Sequence, residues 1–385
     1  METNNAIQID LSEIKTPSFV LDKKILRENL SKIEHIKKRT DCKILLALKA
    51  FAVYKLFPVI SNCLDGVCAS SQDEARLGRE EFKKEVHSYA AAFGDSEFNT
   101  IMRFSDHIVF NSFNQWKRFR PLILKADHLI SCGIRVNPEH SESEMPLYDP
   151  CAKSSRLGVK IRDFKENEMK YISGLHFHNL SGHNSNALQR TLTAFEHAFG
   201  KYLYHLSWLN LGGGHHITRK DYNIDLLCRL IQDIKDKYQL EIYLEPGEAI
   251  VLNAGYLITG VLDIVDCDMP TAILDTSAAA HMPDVLEVPY QPHIIGSDNG
   301  GCKRYSYRLA GVSCMASDII GVYSFDTPLT IGDTLIFTDM AHYTMVKANT
   351  FNGIRLPSIY FYDSKTKEIE LIRKFNYEDY KSRLS

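Results

Sequence analysis

The sequence predicts an α/β protein in which a closed (β/α)8 barrel, similar to a TIM barrel, is joined to a second domain that is mainly β. Between residues 22 and 254, eight short apolar runs of strand type alternate with amphipathic stretches long enough for helices. After residue 255 the pattern changes to β-branched and aromatic runs broken by Gly, Pro and Asp turns. Eight consecutive β/α units favour a closed barrel, because a doubly wound open sheet usually contains fewer strands.

The barrel elements follow one another in chain order. An extra helix is predicted at Lys23–Lys38, before the first β/α unit. The eight strands are predicted at Ile44–Leu48, Gly66–Ala69, Val86–Ala90, His107–Phe110, Ser131–Val136, Ser173–His178, Ser207–Leu211 and Glu241–Glu245. The clearest helices between them are predicted at Asp73–Phe82, Phe113–Lys125, Leu188–Tyr204 and Tyr222–Tyr238.

The second domain is predicted from runs typical of strands. They are Tyr256–Val265, Thr271–Leu274, Asp318–Tyr323, Thr334–Phe337 and Ser358–Tyr362. The run Thr16–Leu21 has the same character, and its position before the first helix allows it to pair with the C-terminal strands. We therefore expect a barrel over residues 22–254 and a discontinuous β domain formed by residues 1–21 and 255–385.

Composition and charge exclude several classes of function. The chain has 385 residues, 44% of them hydrophobic and 24% charged, which is enough for well-buried cores. A formal net charge of -3 offers no basic surplus for nucleic acid or membrane surfaces. The N-terminus does not read as a signal peptide, and nine cysteines without a C-x-x-C pair favour reduced thiols. We expect a cytoplasmic protein.

Lys49 is the first candidate for chemistry. It closes the first strand, and barrel enzymes build their sites from residues at the C-terminal ends of the strands. An apolar setting there would penalise the ammonium form and favour a neutral, nucleophilic amine. A single lysine at a strand end is more often a surface residue, so its interpretation depends on what else lies at this end of the barrel.

Two further motifs fall at the same end of the predicted barrel. Gly212, Gly213 and Gly214 close the seventh strand and expose backbone N–H groups where such barrels commonly bind phosphate. Three glycines alone are a weak signal, because many such runs are only flexible turns. Glu245 ends the eighth strand, where its carboxylate can accept a charge-assisted hydrogen bond or simply cap a helix.

The histidines leave two interpretations open. His176 and His178 lie on the same side of the sixth strand, so one of them can stack on a planar ring. The alternative is a metal centre with imidazole and carboxylate ligands. That centre would draw its ligands from His176, His178, His183, His215, His216 and Glu245. A metal centre leaves Lys49 and the glycine run without a role.

These segments, in this order, resemble the fold type III decarboxylases that use pyridoxal 5'-phosphate (PLP), the group of ornithine, arginine and diaminopimelate decarboxylases. The resemblance covers nearly the whole chain and implies a barrel of the alanine racemase type. It looks closest to the branch acting on carboxynorspermidine and carboxyspermidine. The segments that carry it are Ala47–Phe51 (ALKAF), Gly174–Asn179 (GLHFHN), Leu211–Arg219 (LGGGHHITR) and Glu245–Ala249 (EPGEA).

The resemblance implies a role for each motif. Lys49 matches the lysine that holds the cofactor as a Schiff base, and His178 the imidazole stacked on the cofactor ring. Glu245 matches the partner of the pyridine nitrogen. The residues expected to complete the cofactor site are Ser181, Gly212, Gly213, Gly214, Gly247 and Tyr343.

The resemblance also implies a site shared between two subunits. Cys314, in Gly311-Val312-Ser313-Cys314, matches a catalytic cysteine that reaches the active site of the other subunit, so we expect a homodimer. As plain sequence, such a cysteine is more often a small buried hydrophobe. Asp275 and Asp318 are the candidate partners for the distal ammonium groups of a carboxylated triamine, and either can equally be a turn residue.

Two residues depart from the ornithine-type pattern. Met315 stands where those enzymes have an acid after the cysteine, and Glu248 stands where they have an arginine after E-P-G. Both departures favour the carboxynorspermidine branch over ornithine or diaminopimelate. Another basic amino acid decarboxylase, alanine racemase-type chemistry and a non-catalytic regulatory homologue remain as alternatives, and the presence of both Lys49 and Cys314 argues against the last.

Overall fold

The computed structural model describes residues 10–143, 146–288 and 290–385. The chain divides into two compact units. The barrel unit is Asn29–Ile250, and the β unit is Met1–Glu28 together with Val251–Ser385. None of the described helices has the length and apolar character needed to cross a membrane.

The first regular elements are strand β1 (Ser18–Asp22) and helix α1 (Lys23–Thr40). The side chain of Asp22 accepts a hydrogen bond from the N–H of Lys24 (2.9 Å), which satisfies one of the free donors at the start of the helix. The buried residues of α1 recur every three or four positions, as expected for a helix with one apolar face. They are Leu26, Leu30, Ile33 and Ile36.

Eight parallel strands close into a barrel, as predicted. They are β2 (Lys43–Ala47), β3 (Gly66–Ala69), β4 (Glu85–Tyr89), β5 (His107–Phe110), β6 (Ser131–Arg135), β7 (Gly174–His176), β8 (Trp208–Asn210) and β9 (Glu241–Leu244). Strand β9 pairs with β2, which closes the ring. A large part of the interior is filled by Trp208. A Cβ atom on Gly174 would lie only 2.0 Å from its ring, so this position requires glycine.

The helices of the barrel unit follow the predicted order with some differences. They are α2 (Phe57–Ile60), α3 (Gln72–Leu77), α4 (Asp95–Phe104), α5 (Phe113–Ile123), α6 (Ser185–Leu203), α7 (Ile224–Tyr238) and α8 (Glu248–Val251). The helix predicted to reach Phe82 changes at Gly78 into a π-helical turn. In the described part of the connection from β6 to β7, three single-turn 3-10 helices stand in place of a barrel helix.

The β unit is built on a nine-stranded sheet. Its further strands are β10 (Gly255–Val265), β11 (Thr271–Leu274), β12 (Ser297–Asn299), β13 (Tyr305–Ala310), β14 (Ile319–Phe325), β15 (Thr334–Thr338), β16 (Ser358–Tyr362) and β17 (Ile369–Arg373). Strand β1 lies between β10, to which it is antiparallel, and β16, to which it is parallel. Strand β15 also pairs with β10.

Four short helices complete the β unit: α9 (Ala278–His281), α10 (Asp284–Glu287), α11 (Thr344–Lys347) and α12 (Tyr377–Lys381). Its main core contains Phe19, Leu257, Leu274, Leu309 and Phe337, all nearly inaccessible to solvent. Residues from β1 and from the C-terminal half of the chain share this core. The N-terminal strand is therefore an integral part of the β unit.

Candidate active site

A cavity opens where the C-terminal ends of the barrel strands meet. Three of the predicted site residues, Lys49, His178 and Glu245, line it together. The other lining residues are Ala47, Cys68, Ala69, Ser70, Tyr89, Arg135 and His176. The barrel therefore brings together residues that lie almost 200 positions apart in the chain.

Lys49 follows the end of β2 in a tight turn. Its neighbours Leu48 and Ala50 are fully buried, whereas the Lys49 side chain is exposed within the single chain. The sequence suggested an apolar setting for the amine, and that expectation holds for the strand but not for the Lys49 side chain. Its amine lies at the edge of the cavity, where it is accessible to a small molecule.

Glu245 is held as a carboxylate. Its Oε1 accepts a hydrogen bond from the Asn210 amide (2.7 Å), and its Oε2 lies 3.3 Å from Nε2 of His176. Burial alone would raise the pKa of Glu245, but His176 and Asn210 stabilise the ionised form more strongly and lower the pKa to about 2. The carboxylate is thus available to accept an N–H group from a bound ring.

His178 is a neutral ring fixed by the glycine run. Its Nδ1 accepts a hydrogen bond from the N–H of Gly213 (2.7 Å), so its remaining proton is on Nε2. Burial, with Lys49 and Arg135 nearby, lowers the pKa of His178 well below its usual value. The Arg135 guanidinium also donates to the carbonyl of His178 (2.8 Å). A neutral, immobilised imidazole is suited to stacking on a planar cofactor.

The glycine run forms a tight cradle. Gly212 and Gly214 have positive φ angles of 71° and 80°, and a Cβ atom on Gly214 would lie 1.9 Å from the carbonyl oxygen of Leu180. The N–H of Gly212 binds the Asn210 side chain, and that of Gly213 binds His178. The sequence suggested a row of bare N–H groups. Among the described residues, only the Gly214 N–H of these three lacks an acceptor.

Ser181 and Gly247 lie at the edges of this cradle. Ser181 is exposed, and its N–H donates to Nδ1 of His183 (2.9 Å), next to a backbone bond from His183 to Gly214 (3.0 Å). A Cβ atom on Gly247 would lie 2.5 Å from that of Ala50, so glycine lets the E-P-G turn touch the residue after Lys49. Because the Ser181 N–H is engaged too, the Gly214 N–H and the Ser181 hydroxyl are the candidate donors of this cradle for a phosphate group.

Glu248 lies beside a histidine. Its Oε1 lies 3.1 Å from Nε2 of His216, and the His216 ring packs against Gly182, the residue after Ser181. The acid that replaces the ornithine-type arginine is therefore paired. His216 provides a group that carries positive charge when protonated, close to the cradle.

The remaining predicted residues belong to the β unit. Cys314 is exposed in the loop between β13 and β14, and its N–H donates to Oδ1 of Asn352 (3.0 Å). Tyr343 directly precedes α11 with a φ angle of 49°, a strained conformation for a tyrosine. Asp275 is partly buried, and its Oδ1 accepts from Thr259 (2.7 Å) and from the N–H of Gly260 (2.9 Å).

Asp318 differs from the other candidates because it is almost completely buried, with 2% of its surface exposed. Its two oxygens accept hydrogen bonds from Ala278, Ala279 and Ser313. A substrate ammonium group would have to displace these donors. The sequence suggested Asp318 as a partner for the distal amines, and that role stays a prediction.

The metal centre that the sequence left open is not assembled. Its five histidines contact separate partners: Glu245, the Gly213 N–H, the Ser181 N–H, the Leu211 carbonyl and Glu248. Within the part of the chain that the structure describes, the one group of three possible ligands is Glu85, His87 and His107. It lies on β4 and β5 towards the opposite ends of the strands, away from the cavity.

Sequence reasoning missed three residues of this site, namely Asn210, Arg135 and Tyr89. All three lie at the C-terminal end of a barrel strand, which is the signal that would have identified them. The Arg135 guanidinium lies over the Tyr89 ring, 4.7 Å from its centroid. Asn210 joins Glu245 to the glycine cradle, because its amide contacts both.

Comparison with known proteins gives consistent results. The family described as "Pyridoxal-dependent decarboxylase, C-terminal sheet domain" matches residues 19–341. The carboxynorspermidine/carboxyspermidine decarboxylase of Campylobacter jejuni is 39% identical over 382 residues, which cover 96% of this chain and 99% of that protein. The carboxyaminopropylagmatine decarboxylase of Synechocystis sp. is 42% identical over 97% of this chain and 96% of that protein.

A solved structure agrees with these matches. The crystal structure of carboxynorspermidine decarboxylase from Campylobacter jejuni, in complex with norspermidine, superimposes with a TM-score of 0.88. It is 38% identical and covers 96% of this chain and all of that chain. Diaminopimelate decarboxylase from Helicobacter pylori has a TM-score of 0.79 at 18% identity, which indicates a shared fold.

Proposed function

Because the chain belongs to the family of pyridoxal-dependent decarboxylases, we propose that it removes the carboxyl group of a carboxylated polyamine with PLP bound in the barrel cavity. The observation that carries this proposal is the convergence of Lys49, His178 and Glu245 on one cavity beside the glycine cradle. The candidate substrates are carboxynorspermidine and carboxyspermidine. A third is carboxyaminopropylagmatine, the substrate named for the Synechocystis relative.

The residues of the barrel unit fit this cofactor. Lys49 would hold it covalently, the neutral His178 ring would stack on it, and the Glu245 carboxylate would accept the N–H of its ring. The Gly214 N–H and the Ser181 hydroxyl would bind its phosphate. Gly212, Gly213 and Gly247 would let the backbone approach the cofactor. Tyr343 would bind the phosphate through its hydroxyl, as its match to the phosphate-binding tyrosine of the family implies.

The chemistry divides between the cofactor and this chain. Bound PLP withdraws electrons from the carbon that carries the carboxyl group, which allows carbon dioxide to leave. The ionised Glu245 maintains that withdrawal, because its negative charge keeps the ring nitrogen protonated. Cys314 would donate the proton that replaces the carboxyl group, and the Lys49 amine would hold the cofactor again once the product is released.

The second unit would complete the site across a homodimer. We propose that the discontinuous β domain, residues 1–21 with 255–385, brings Cys314 to the barrel of the partner subunit. Apolar residues near Cys314 are exposed in the single chain, Val312 at 40% and Phe351 at 44%, as expected of a surface that another chain covers.

We also propose a cytoplasmic location. All nine cysteines are unpaired, in agreement with the reducing cytoplasm.

Two departures from the ornithine-type pattern support a substrate other than ornithine or diaminopimelate. Met315 replaces the acid that follows the cysteine, and Glu248 replaces the arginine that follows E-P-G, which leaves phosphate binding more dependent on backbone N–H groups. Asp275 is the candidate for a distal ammonium group. Its Oδ1 accepts two hydrogen bonds within the β unit, from Thr259 and from the N–H of Gly260.

The test is a comparison of kcat/KM for five compounds on the purified protein loaded with PLP. They are the three carboxylated polyamines, ornithine and diaminopimelate. We expect carbon dioxide release, with one carboxylated polyamine preferred over both amino acids by more than about tenfold, or about 1.4 kcal/mol. Lys49→Ala serves as the inactive control.

Each other result has a definite meaning. Preference for ornithine or diaminopimelate would assign the chain to another decarboxylase of this fold. Tight PLP binding without carbon dioxide release from any compound would favour the non-catalytic homologue. The same assay distinguishes carboxynorspermidine and carboxyspermidine from carboxyaminopropylagmatine. The relatives named for these substrates are 39% and 42% identical to this chain, so identity alone does not decide between the substrates.

A further inference from the structure

The loop that carries Cys314 is held in place by one buried carboxylate. We propose that Asp318 is a positioning residue that fixes Cys314 for proton delivery and does not bind substrate. The inference rests on the proposed function, because that function makes Cys314 the proton donor. The loop, residues 311–318, is called the cysteine loop below, and it joins β13 to β14.

Asp318 joins the cysteine loop to helix α9. Its Oδ1 accepts from the N–H groups of Ala278 (2.6 Å) and Ala279 (3.3 Å) at the start of that helix. Its Oδ2 accepts from the N–H (3.1 Å) and the hydroxyl (2.5 Å) of Ser313. Ser313 is the residue immediately before Cys314. A single carboxylate therefore ties the catalytic segment to a helix that lies some 40 positions earlier in the chain.

The start of the cysteine loop is pressed against the same carboxylate. A Cβ atom on Gly311 would lie 2.3 Å from Oδ2 of Asp318, so only glycine fits there. The main chain closes the loop as well, because Gly311 N–H donates to the Asp318 carbonyl (2.8 Å) and Asp318 N–H to the Met315 carbonyl (3.0 Å). The two ends of the loop thus meet at Asp318.

A second arm reaches Cys314 from the other side and starts at the same helix. Asn349 binds α9 twice, with its N–H on the Ala280 carbonyl (2.7 Å) and its amide on the Ala279 carbonyl (3.0 Å). Three residues later, Oδ1 of Asn352 accepts the N–H of Cys314 (3.0 Å). Cys314 is therefore held through its own backbone and that of Ser313, and both arms end on α9.

The four donors around Asp318 require a side chain whose two oxygen atoms both accept hydrogen bonds. All four contacts of Asp318 come from donors, and an ionised carboxylate is the side chain of this size that only accepts. An asparagine would turn an NH2 group towards N–H donors on one side, whichever way it is rotated. The Cys314 side chain is itself exposed, so its position depends on the backbone that these bonds fix.

Misplacement of the thiol has a chemical signature. In the proposed reaction, loss of carbon dioxide leaves an electron pair, and the thiol proton completes the C–H bond of the product amine. If that proton arrives instead at the cofactor's own carbon, the substrate nitrogen stays with the cofactor. The products are then carbon dioxide, an aldehyde and the pyridoxamine form of the cofactor, with the Lys49 amine left free and one water consumed in the hydrolysis that releases the aldehyde.

The experiment compares Asp318→Asn and Ser313→Ala with the wild type and with Asp326→Asn, an exposed acid of the same unit paired with Lys303. Each protein is assayed as the PLP-loaded full chain with the preferred carboxylated polyamine. The readouts are kcat, KM, the fraction of turnovers that yield aldehyde, and hydrogen exchange of residues 311–318. Exchange is measured without substrate, so it reports on the loop even if no compound is turned over.

We expect Asp318→Asn to lower kcat by about 10- to 100-fold, since a misplacement near 1 Å can cost that much. KM should stay within a factor of about three, because no substrate contact is removed. The aldehyde fraction and the exchange of the loop should both rise. Ser313→Ala should shift every readout in the same direction but less, because Asp318 keeps its contacts with α9. Asp326→Asn should match the wild type.

Two results would overturn the inference. A large rise in KM with an unchanged aldehyde fraction would show that Asp318 binds substrate. Unchanged exchange of the cysteine loop in both variants would show that the carboxylate does not hold it. If Asp318→Asn does not fold, Ser313→Ala carries the test alone. A wild type that releases no carbon dioxide would instead refute the proposed function.

Discussion

Replacing Glu245 by glutamine tests the electrostatic basis of the proposed site. Glutamine has nearly the same shape, and its carbonyl oxygen can still accept the hydrogen bond from Asn210, so we expect the barrel to keep its fold. The substitution removes the negative charge that lies 3.3 Å from Nε2 of His176. We therefore expect the substitution to weaken electron withdrawal by the bound cofactor ring and to leave the fold unchanged.

The structure sets the size of the effect. The pKa of Glu245 is lowered from 4.5 to about 2, so the side chain is a carboxylate at neutral pH and carries the charge that glutamine would remove. A hydrogen bond between this carboxylate and a charged ring nitrogen contributes about 1.5–3 kcal/mol. Its loss corresponds to a decrease in kcat of roughly 10- to 150-fold.

The assay measures kcat and PLP affinity separately. We expect Glu245→Gln to bind PLP with an affinity within about tenfold of the wild type, because the lysine linkage and the phosphate cradle remain. The matched control is Glu241→Gln, the same substitution at the other end of β9, on a side chain that is 44% exposed. It should leave kcat unchanged.

Near-normal turnover in Glu245→Gln would refute the reasoning, because the ring nitrogen would then need no carboxylate. Equal losses in Glu245→Gln and Glu241→Gln would indicate general damage to β9. A loss of PLP binding without any change in kcat at saturating cofactor would assign Glu245 to affinity alone.

Three further predictions concern the cofactor and the subunits. Borohydride should fix PLP on Lys49, and peptide mapping that finds another modified lysine would contradict its assignment. Gly214→Ala should lose most PLP affinity by fluorescence titration, because its Cβ would lie 1.9 Å from the Leu180 carbonyl oxygen; normal affinity would place the phosphate elsewhere. Mixing Lys49→Ala with Cys314→Ala protein should restore roughly a quarter of wild-type activity, since random exchange gives about half mixed dimers with one intact site each. No recovery under proven subunit exchange would place Cys314 in its own chain's site or outside catalysis.

Much of the barrel follows from local pattern. The apolar runs at 66–69 and 107–110 are strands with the predicted bounds, because a strand buried on both faces needs a short continuous apolar run. Strands β12, β13 and β17 were not predicted. Strand β12 has only three residues, and β17 has no buried residue, so burial leaves little periodic signal in their sequences. Strand β13 has six residues, but its buried and exposed positions do not alternate regularly.

The residues expected around the cofactor were largely identified by motif, since a strand end and a glycine run are local features. Their interactions were not. The sequence suggested bare N–H groups along Gly212 to Gly214 and an apolar environment for Lys49. The structure engages two of those N–H groups, because Asn210 at the end of the same strand and His178 after the neighbouring strand β7 accept them. It also exposes the Lys49 side chain.

The two acids of the β unit show where local pattern stops being informative. Asp275 and Asp318 look alike in sequence, since each is an acid at the end of a strand-like run. Folding brings the N–H groups of Ala278 and Ala279, about 40 positions away, to Asp318, and Ser313 of the same loop supplies two further donors. Asp275 accepts hydrogen bonds from Thr259 and Gly260, 16 and 15 positions earlier in the chain. The order of the barrel strands and the identity of the candidate chemical groups were thus predicted from short-range periodicity and motif. Which donors surround each carboxylate was decided by the tertiary structure, because donors such as Ala278 and Thr259 lie on other elements of the β unit.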